Sequence, residues 1–317
     1  MKDFAMSETL RVLSPGMLTI VQDLGRFGYA HLGVSASGGA DGLSARISNR
    51  LVGNDDNTSV LEMTLVGGRF EFGRDSMIAL AGADLAATLD ETLVPMYESV
   101  RARARSILRC GSARTGARCY LAVAGGFEIT PVLGSTSTHV MSGIGGLAGR
   151  LKRGDILPLK VGGAAAQPRK LDRSLFQQLR PRTRLRVTLG PQHDFFGKDG
   201  ITKLCSQTYL VSEDSNRVGL RLHAQPIDSI LEAKMLTEGA ALGAIQIPPG
   251  GQPIILFVEH QTTGGYPKIA NVISADLSSL GQLRPRDEIR FELVTMPQAI
   301  EALKEQEHIL RQAVPPA

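Results

Sequence analysis

The chain has 317 residues, enough for about two domains at roughly 100–200 residues each. With 43% hydrophobic and 21% charged residues it is not a disordered chain. Its net charge of +4 (35 Lys and Arg against 31 Asp and Glu) is mild, and the basic bursts carry no interleaved aromatics, which argues against a nucleic-acid surface.

Met1 to Val12 shows no apolar leader. A helix is predicted after Asp41, a good N-cap, with Leu43, Ile47 and Leu51 on one face and Gly53 free to take the left-handed stop. Arg69–Phe72 alternates as a half-buried strand should, and Met77–Ala81 and Cys119–Ala124 read as buried strands. Residues 162–182 are predicted as a linker with one helical turn or two: a Gly/Ala stretch, a short amphipathic piece around Leu175 and Leu179, then Arg180-Pro181-Arg182. Thr183–Leu189 alternates. Ile254–Val258 is a buried strand, far below the roughly 20 residues of a membrane span. Thr295 and Gln298 have capping-box spacing before a last helix with Ile300, Leu303 and Leu310. The expected fold is mainly β with few helices. Its expected parts are a domain over residues 7–161, the linker, and a domain over residues 183–317 with the terminal helix. The chain reads as cytoplasmic, with no membrane and no nucleic acid as partners.

Three segments recur in the same order. Ser48–Gly53 echoes Ser215–Gly219; Glu62 and Gly68–Phe72 echo Glu238 and Gly243–Ile247; Gly149–Asp155 echoes Gly281–Asp287. The order suggests two similar β-barrel domains.

Several familiar signatures fail on inspection. Gly143–Ala148 fits the loose GxGxxA pattern, but Gly149–Gly154 after it is poor helix material for a dinucleotide site. There is no Walker A sequence, no GxSxG, and no HxxxH or HExxH among the six histidines. Cys110, Cys119 and Cys205 are odd in number and lack zinc spacing, so neither a disulfide framework nor a metal is expected. Ala233-Lys234-Met235 has one of the two methionines that flank a biotinyl lysine and reads as an exposed lysine.

What remains is polar and glycine-spaced: Gln22–Gly28, Gly33–Asp41, Asn216–Gly219, Gly243–Gly251 and Glu259–Lys268. The last follows a buried strand. Gln261, Thr262 and Thr263 offer amide and hydroxyl groups, Gly264 and Gly265 expose backbone N–H groups, and Tyr266 and Lys268 add a phenol and a cation. Such donors suit a small carboxylate, amide or phosphate. A turn capped by its own threonines is the plainer alternative.

Together with Asn49–Gly53, Ala122–Phe127, Leu133–Thr138, Gly190–Gln192 and Ser215–Leu222, these stretches resemble the allophanate hydrolase subunit 2-like, or biotin-dependent carboxyltransferase-like, family. The likeness spans Val12 to about Leu293, and His260–Lys268 is its most specific part. Val218 stands where methionine is common in the family, and Gly39 makes Ser-Gly-Ala into Ser-Gly-Gly-Ala.

The resemblance implies two cyclophilin-like β-barrel domains and partners: an inhibitor-like subunit of related cyclophilin-like fold and a LamB/YcsF-like subunit. The implied reaction is ATP-dependent opening of 5-oxo-L-proline to L-glutamate, with ATP used by the complex and no covalent biotin on this chain. Two alternatives are a regulator that binds a kinase-inhibitor-like partner and a carboxyltransferase acting on urea or a related amide with biotin supplied in trans. For this chemistry Lys268, Gln261 and Asn216 are the candidate catalytic residues. Arg217, Gln246, Thr262, Thr263, Gly264, Gly265 and Tyr266 are candidate substrate contacts. Gln22, Asp23, Arg26 and Asp41 form a candidate second site. Asp23, Asp41 and Glu259 are the acids available as a base, although Asp41 is better read as a helix cap.

Overall fold

The computed structural model describes residues 8–160, 167–230 and 235–316. Residues 162–166 of the expected linker, and Ala233 and Lys234 of the Ala233-Lys234-Met235 motif, lie outside the described residues. The chain divides into two compact units: the described residues of Met1–Arg26, Ser37–Leu179 and Ile309–Ala317, and those of Phe27–Ala36 and Arg180–His308.

The first unit contains β1 (Thr9–Ser14), β2 (Leu18–Gln22), α1 (Gly42–Leu51), β3 (Val60–Thr64), β4 (Arg69–Phe72), β5 (Ser76–Asp84), β6 (Thr88–Leu89), β7 (Thr92–Leu93), β8 (Ser99–Ala102), β9 (Ile107–Arg109), β10 (Thr115–Val123), β11 (Ile156–Pro158) and the short α2 (Arg173–Phe176). They form two antiparallel sheets, ordered β11-β1-β4-β9-β6-β7 and β2-β3-β10-β5-β8. Strand β10 explains the layering. Its side chains alternate, so Cys119, Leu121 and Val123 join one core with Leu10, Phe70, Phe72 and Leu108. Tyr120, Ala122 and Ala124 face a second core with Leu43, Ile47 and Leu51 of α1. Being buried on both faces, β10 reads as a continuous apolar run, and the alanines on the helical side leave room for α1. Gly53 takes the predicted left-handed stop, φ 78°. In the described part of the expected linker the short helical piece forms, α2 followed by a 3-10 turn over Gln177–Leu179, and Leu171 and Leu179 are buried in the second core.

The second unit contains β12 (Arg184–Leu189), α3 (Gly197–Ser206), β13 (Tyr209–Val211), β14 (Gly219–His223), β15 (Glu238–Gly239), β16 (Ala244–Gln246), β17 (Ile254–Leu256), β18 (Thr263–Gly264), β19 (Lys268–Val272), α4 (Leu277–Leu280), β20 (Glu288–Leu293) and α5, which runs Met296–Ala313 and so ends among residues of the first unit. Seven strands close a barrel in the order β12-β19-β16-β17-β14-β13-β20, and β15 and β18 make a separate ribbon. The chain is thus mainly β, as expected.

The capping box forms: Thr295 N–H donates to Gln298 Oε1 at 2.8 Å and Gln298 N–H to Thr295 Oγ1 at 3.4 Å. The apolar face of α5 differs from the expected one. Ala299, Ala302 and Leu310 are buried, whereas Ile300 and Leu303 are exposed.

The three sequence echoes have different fates. Ser48–Gly53 ends a helix, while Ser215–Gly219 is a turn entering β14. Glu62 is fully buried on β3, and Glu238 lies half-exposed on the ribbon. The third echo is real in three dimensions. Lys152 N–H donates to Asp155 Oδ2 at 2.7 Å, and Arg284 N–H donates to Asp287 Oδ2 at 2.8 Å. Gly154 and Arg286, both at positive φ, donate N–H groups to Val12 O and Val211 O. The strand pairings around them match as well: β11 runs antiparallel to β1 and β20 runs antiparallel to β13, although β20 also has a parallel neighbour in β12.

Candidate functional site

Lys268 opens β19 and faces Gln246 across the ladder to β16, beside a bulge between Ile245 and Gln246. Side chains of such partners stand on the same face. The Lys268 side chain is only 4% exposed, and its Nζ lies 2.6 Å from Glu238 Oε1. The same oxygen accepts a 2.8 Å hydrogen bond from Gln192 Nε2. Gln192 in turn accepts from the Lys268 backbone N–H through Oε1 at 3.1 Å. The Lys268 ammonium, followed by Gln192, holds the Glu238 carboxyl below its usual range.

Gln246 is buried. Its Oε1 accepts a long 3.4 Å bond from Gln261 Nε2, and its own Nε2 has no hydrogen-bond partner among the described residues. Gly264 lies over that amide, so close that a Cβ there would fall 2.7 Å from Gln246 Nε2. The rest of the loop is held by the ribbon: Glu238 pairs with Gly264, Gly239 with Thr263, and Ala240 N–H donates to Thr262 O at 2.9 Å. Gly265 and Tyr266 are exposed. The structure therefore gathers Lys268, Gln246, Gln261 and Gly264 around one ribbon and adds Glu238 and Gln192. Neither added residue was singled out from the sequence, although Gln192 lies in the recognisable Gly190-Pro191-Gln192 run.

Arg217 and Asn216 have other engagements. Arg217 Nε is 2.5 Å from Glu259 Oε1, with both side chains buried, and Glu259 N–H donates to Arg217 O at 2.8 Å. Asn216 is exposed, and its Oδ1 accepts from the N–H groups of Val218 at 2.8 Å and Gly219 at 3.3 Å. That is an Asx turn leading into β14. Beside them, burial lowers the basicity of His260, whose Nδ1 lies 2.7 Å from Gln261 O.

In the first unit, Asp23 organises the Ser135–Thr138 segment. Its Oδ1 accepts from Ser135 Oγ at 2.6 Å, Ser137 Oγ at 2.5 Å and Gly25 N–H at 2.8 Å. Its Oδ2 accepts from Thr136 N–H at 2.6 Å and Thr136 Oγ1 at 3.0 Å. Burial alone would raise this carboxyl; the hydroxyl and N–H donors outweigh it and hold the group below its usual range. Gln22 Nε2 and Ser37 Oγ both donate to Thr138 O, at 2.8 and 2.9 Å. Arg26, almost wholly buried, donates to Ser137 O. Thus Gln22, Asp23 and Arg26 converge on one segment.

Asp41 is bound elsewhere. It caps α1, accepting from Ser44 N–H at 2.9 Å and Ser44 Oγ at 2.6 Å. Its own N–H donates to Tyr120 Oη, which donates to buried Glu62. The glycine-rich run 143–148 is a string of turns, with Gly143, Gly145 and Gly146 at positive φ, and opens no helix for a phosphate. Among the described residues no helix is long and apolar enough to cross a membrane.

The likeness to known proteins covers this whole arrangement. The chain is 37% identical to a subunit of 5-oxoprolinase from Escherichia coli over 304 residues, covering 96% of this chain and 97% of that one. It is 35% identical to the same-named subunit from Haemophilus influenzae, covering 92% and 93% of the two chains. Among solved structures, urea amidolyase of K. lactis superposes with a TM-score of 0.89 at 30% identity, over 96% of this chain and 20% of that one. The model of the family described as carboxyltransferase domain, subdomain A and B, matches residues 32–293, so the chain belongs to that family.

Proposed function

We propose that this chain is one subunit of an ATP-dependent 5-oxoprolinase complex that opens 5-oxo-L-proline to L-glutamate. The observation that carries this reading is the two-sided coverage: the chain matches nearly the full length of the Escherichia coli 5-oxoprolinase subunit, not a fragment of it. The donor-rich ribbon supports it chemically. A lactam carbonyl is a poor electrophile. Phosphorylation of its oxygen by ATP, with release of ADP, activates the carbon. One water adds, and the ring C–N bond breaks as the nitrogen takes up a proton and leaves a γ-glutamyl phosphate. A second water hydrolyses that acyl phosphate to glutamate and phosphate. Such a substrate needs a cation for its carboxylate and oriented donors for its amide edge. In this reading Lys268 supplies the first, and Gln246 and Gln261 supply the second.

The complex would also contain an inhibitor-like subunit of related fold and a LamB/YcsF-like subunit, with ATP as its co-substrate. Mixed with both, the chain should support release of ADP, phosphate and glutamate that depends on 5-oxoproline. A three-protein mixture without coupled turnover would count against the proposal. The close superposition on urea amidolyase favours a second reading, a carboxyltransferase acting on urea or a related amide with biotin supplied in trans. Transfer of a carboxyl group from a carboxybiotin carrier to urea, dependent on this chain, is the result that would select it.

A further inference from the structure

We propose that Glu238 is an internal stand-in for the carboxylate of the ligand, so that an anion binds at Lys268 by exchange with Glu238 and not by addition beside it. The proposal rests on the reading of the Lys268 ribbon as the substrate site and deepens it. Its basis is an asymmetry. The Lys268 side chain is 4% exposed, whereas Glu238 opposite is 43% exposed. A buried ammonium must keep an anion next to it, because leaving the charge unpaired in a poorly solvated place is costly. The exposed carboxylate is under no such constraint and can turn to water with little loss. The pair can therefore open only when another anion takes over the lysine.

Two neighbours fit the exchange. Gln192 Nε2 now donates to the same Glu238 oxygen, so an incoming carboxylate that replaced it would inherit two donors already aimed at one point. Gln246, paired with Lys268 across the ladder and 1% exposed, holds an Nε2 group with no hydrogen-bond partner among the described residues. A buried amide donor left unsatisfied is expensive unless a ligand completes it. The carbonyl of a small amide would do so. Glu238 is thus a specificity-determining residue. A neutral amide cannot satisfy Lys268 and leaves the lock in place; an amide that carries a carboxylate replaces Glu238 and binds.

The test is calorimetric titration of the purified full chain with three probes: 5-oxoproline, 2-pyrrolidinone (the same lactam without the carboxylate) and acetate. Removing the internal competitor raises apparent affinity by the factor that competition had cost, here expected at about tenfold. Glu238→Gln should therefore bind 5-oxoproline and acetate about tenfold more tightly than the parent, with 2-pyrrolidinone unchanged. Adding Lys268→Met should abolish the gain. Glu238→Asp, which keeps the charge but shortens its reach, should give a smaller gain and serves if the glutamine variant does not fold. Tighter acetate without any binding of 5-oxoproline would keep the exchange and overturn the substrate reading. Equal or weaker anion binding by both Glu238 variants, or no anion binding by any protein, would overturn the exchange itself.

Discussion

Asp23 and Ser137 bond to each other twice: the Asp23 N–H donates to Ser137 Oγ at 2.9 Å, and that hydroxyl donates to Asp23 Oδ1 at 2.5 Å. The reciprocal pair belongs to a carboxylate with all its lone pairs engaged. Asp23→Asn replaces one acceptor oxygen with a donor facing donors and should destabilise the first unit by about 2–3 kcal/mol. Because the folded carboxyl titrates below its ordinary value of 3.8, its contribution is fully present above that pH and is lost as pH falls through the depressed value. Denaturant titrations at pH 7 and at pH 3 should therefore show the parent approaching the variant only in acid. A gap of equal size at both values would contradict the assignment.

Arg217 and Glu259 should behave as structure. Either Arg217→Met or Glu259→Leu removes one member of a buried ion pair and should cost about 3–5 kcal/mol. The double variant Arg217→Met with Glu259→Leu should recover a large part of that loss. Thermal melts of the four proteins give the coupling directly. If both single variants melt like the parent, the pair does not hold this turn together.

At Gly264 a methyl group is a probe of geometry. Gly264→Ala should push Gln246 Nε2 aside, since the added carbon would sit 2.7 Å from it. The end of a glutamine can swing away, so the melting temperature should barely change. Displacing a positioning group by about an ångström can cost on the order of a hundredfold in rate. The expected outcome is a normal melt with a large loss of 5-oxoproline-dependent turnover in the reconstituted complex. Unaltered turnover would place the chemistry elsewhere.

The thiols should divide into two classes. Burial pushes Cys110 up to about 12 and Cys119 well above its ordinary value, while Cys205 is half-buried and raised less. A disulfide reagent at pH 8 reacts with thiolates. It should label Cys205 in the native protein and all three after unfolding. Rapid native labelling of Cys119 would mean that β10 opens readily.

Much of the architecture was legible because it depends on local chemistry. The Asp41 cap, the Gly53 stop, the alternation of Arg69–Phe72 and the Thr295–Gln298 box are each set by residues a few positions apart. Ile300 and Leu303 misled because a helix periodicity names several possible faces, and here alanines allow the closer approach. The site was half legible. Types and spacing singled out Gln246, Gln261 and Lys268, but not that Lys268 would be met by Glu238, 30 positions earlier on a two-residue strand. Arg217 and Asp23 looked available for the same reason: their partners Glu259 and Ser135–Ser137 lie 42 and more than 100 residues away. Polar pairing at that range leaves no periodic trace.

The end of α5 has a consequence for how the chain is synthesised. Arg50, buried on α1, binds Asp56 through Nε and reaches the carbonyl oxygens of Val314 and Leu310 through Nη1, at 3.1 and 3.4 Å. Leu310 and Val314 also join the core under that helix. The first unit to leave the ribosome therefore lacks a piece until residues 310–314 have been made, even though domains generally fold in the order they emerge. A stop codon in place of Leu310 should loosen the amino-terminal unit, 260 positions upstream of the lesion.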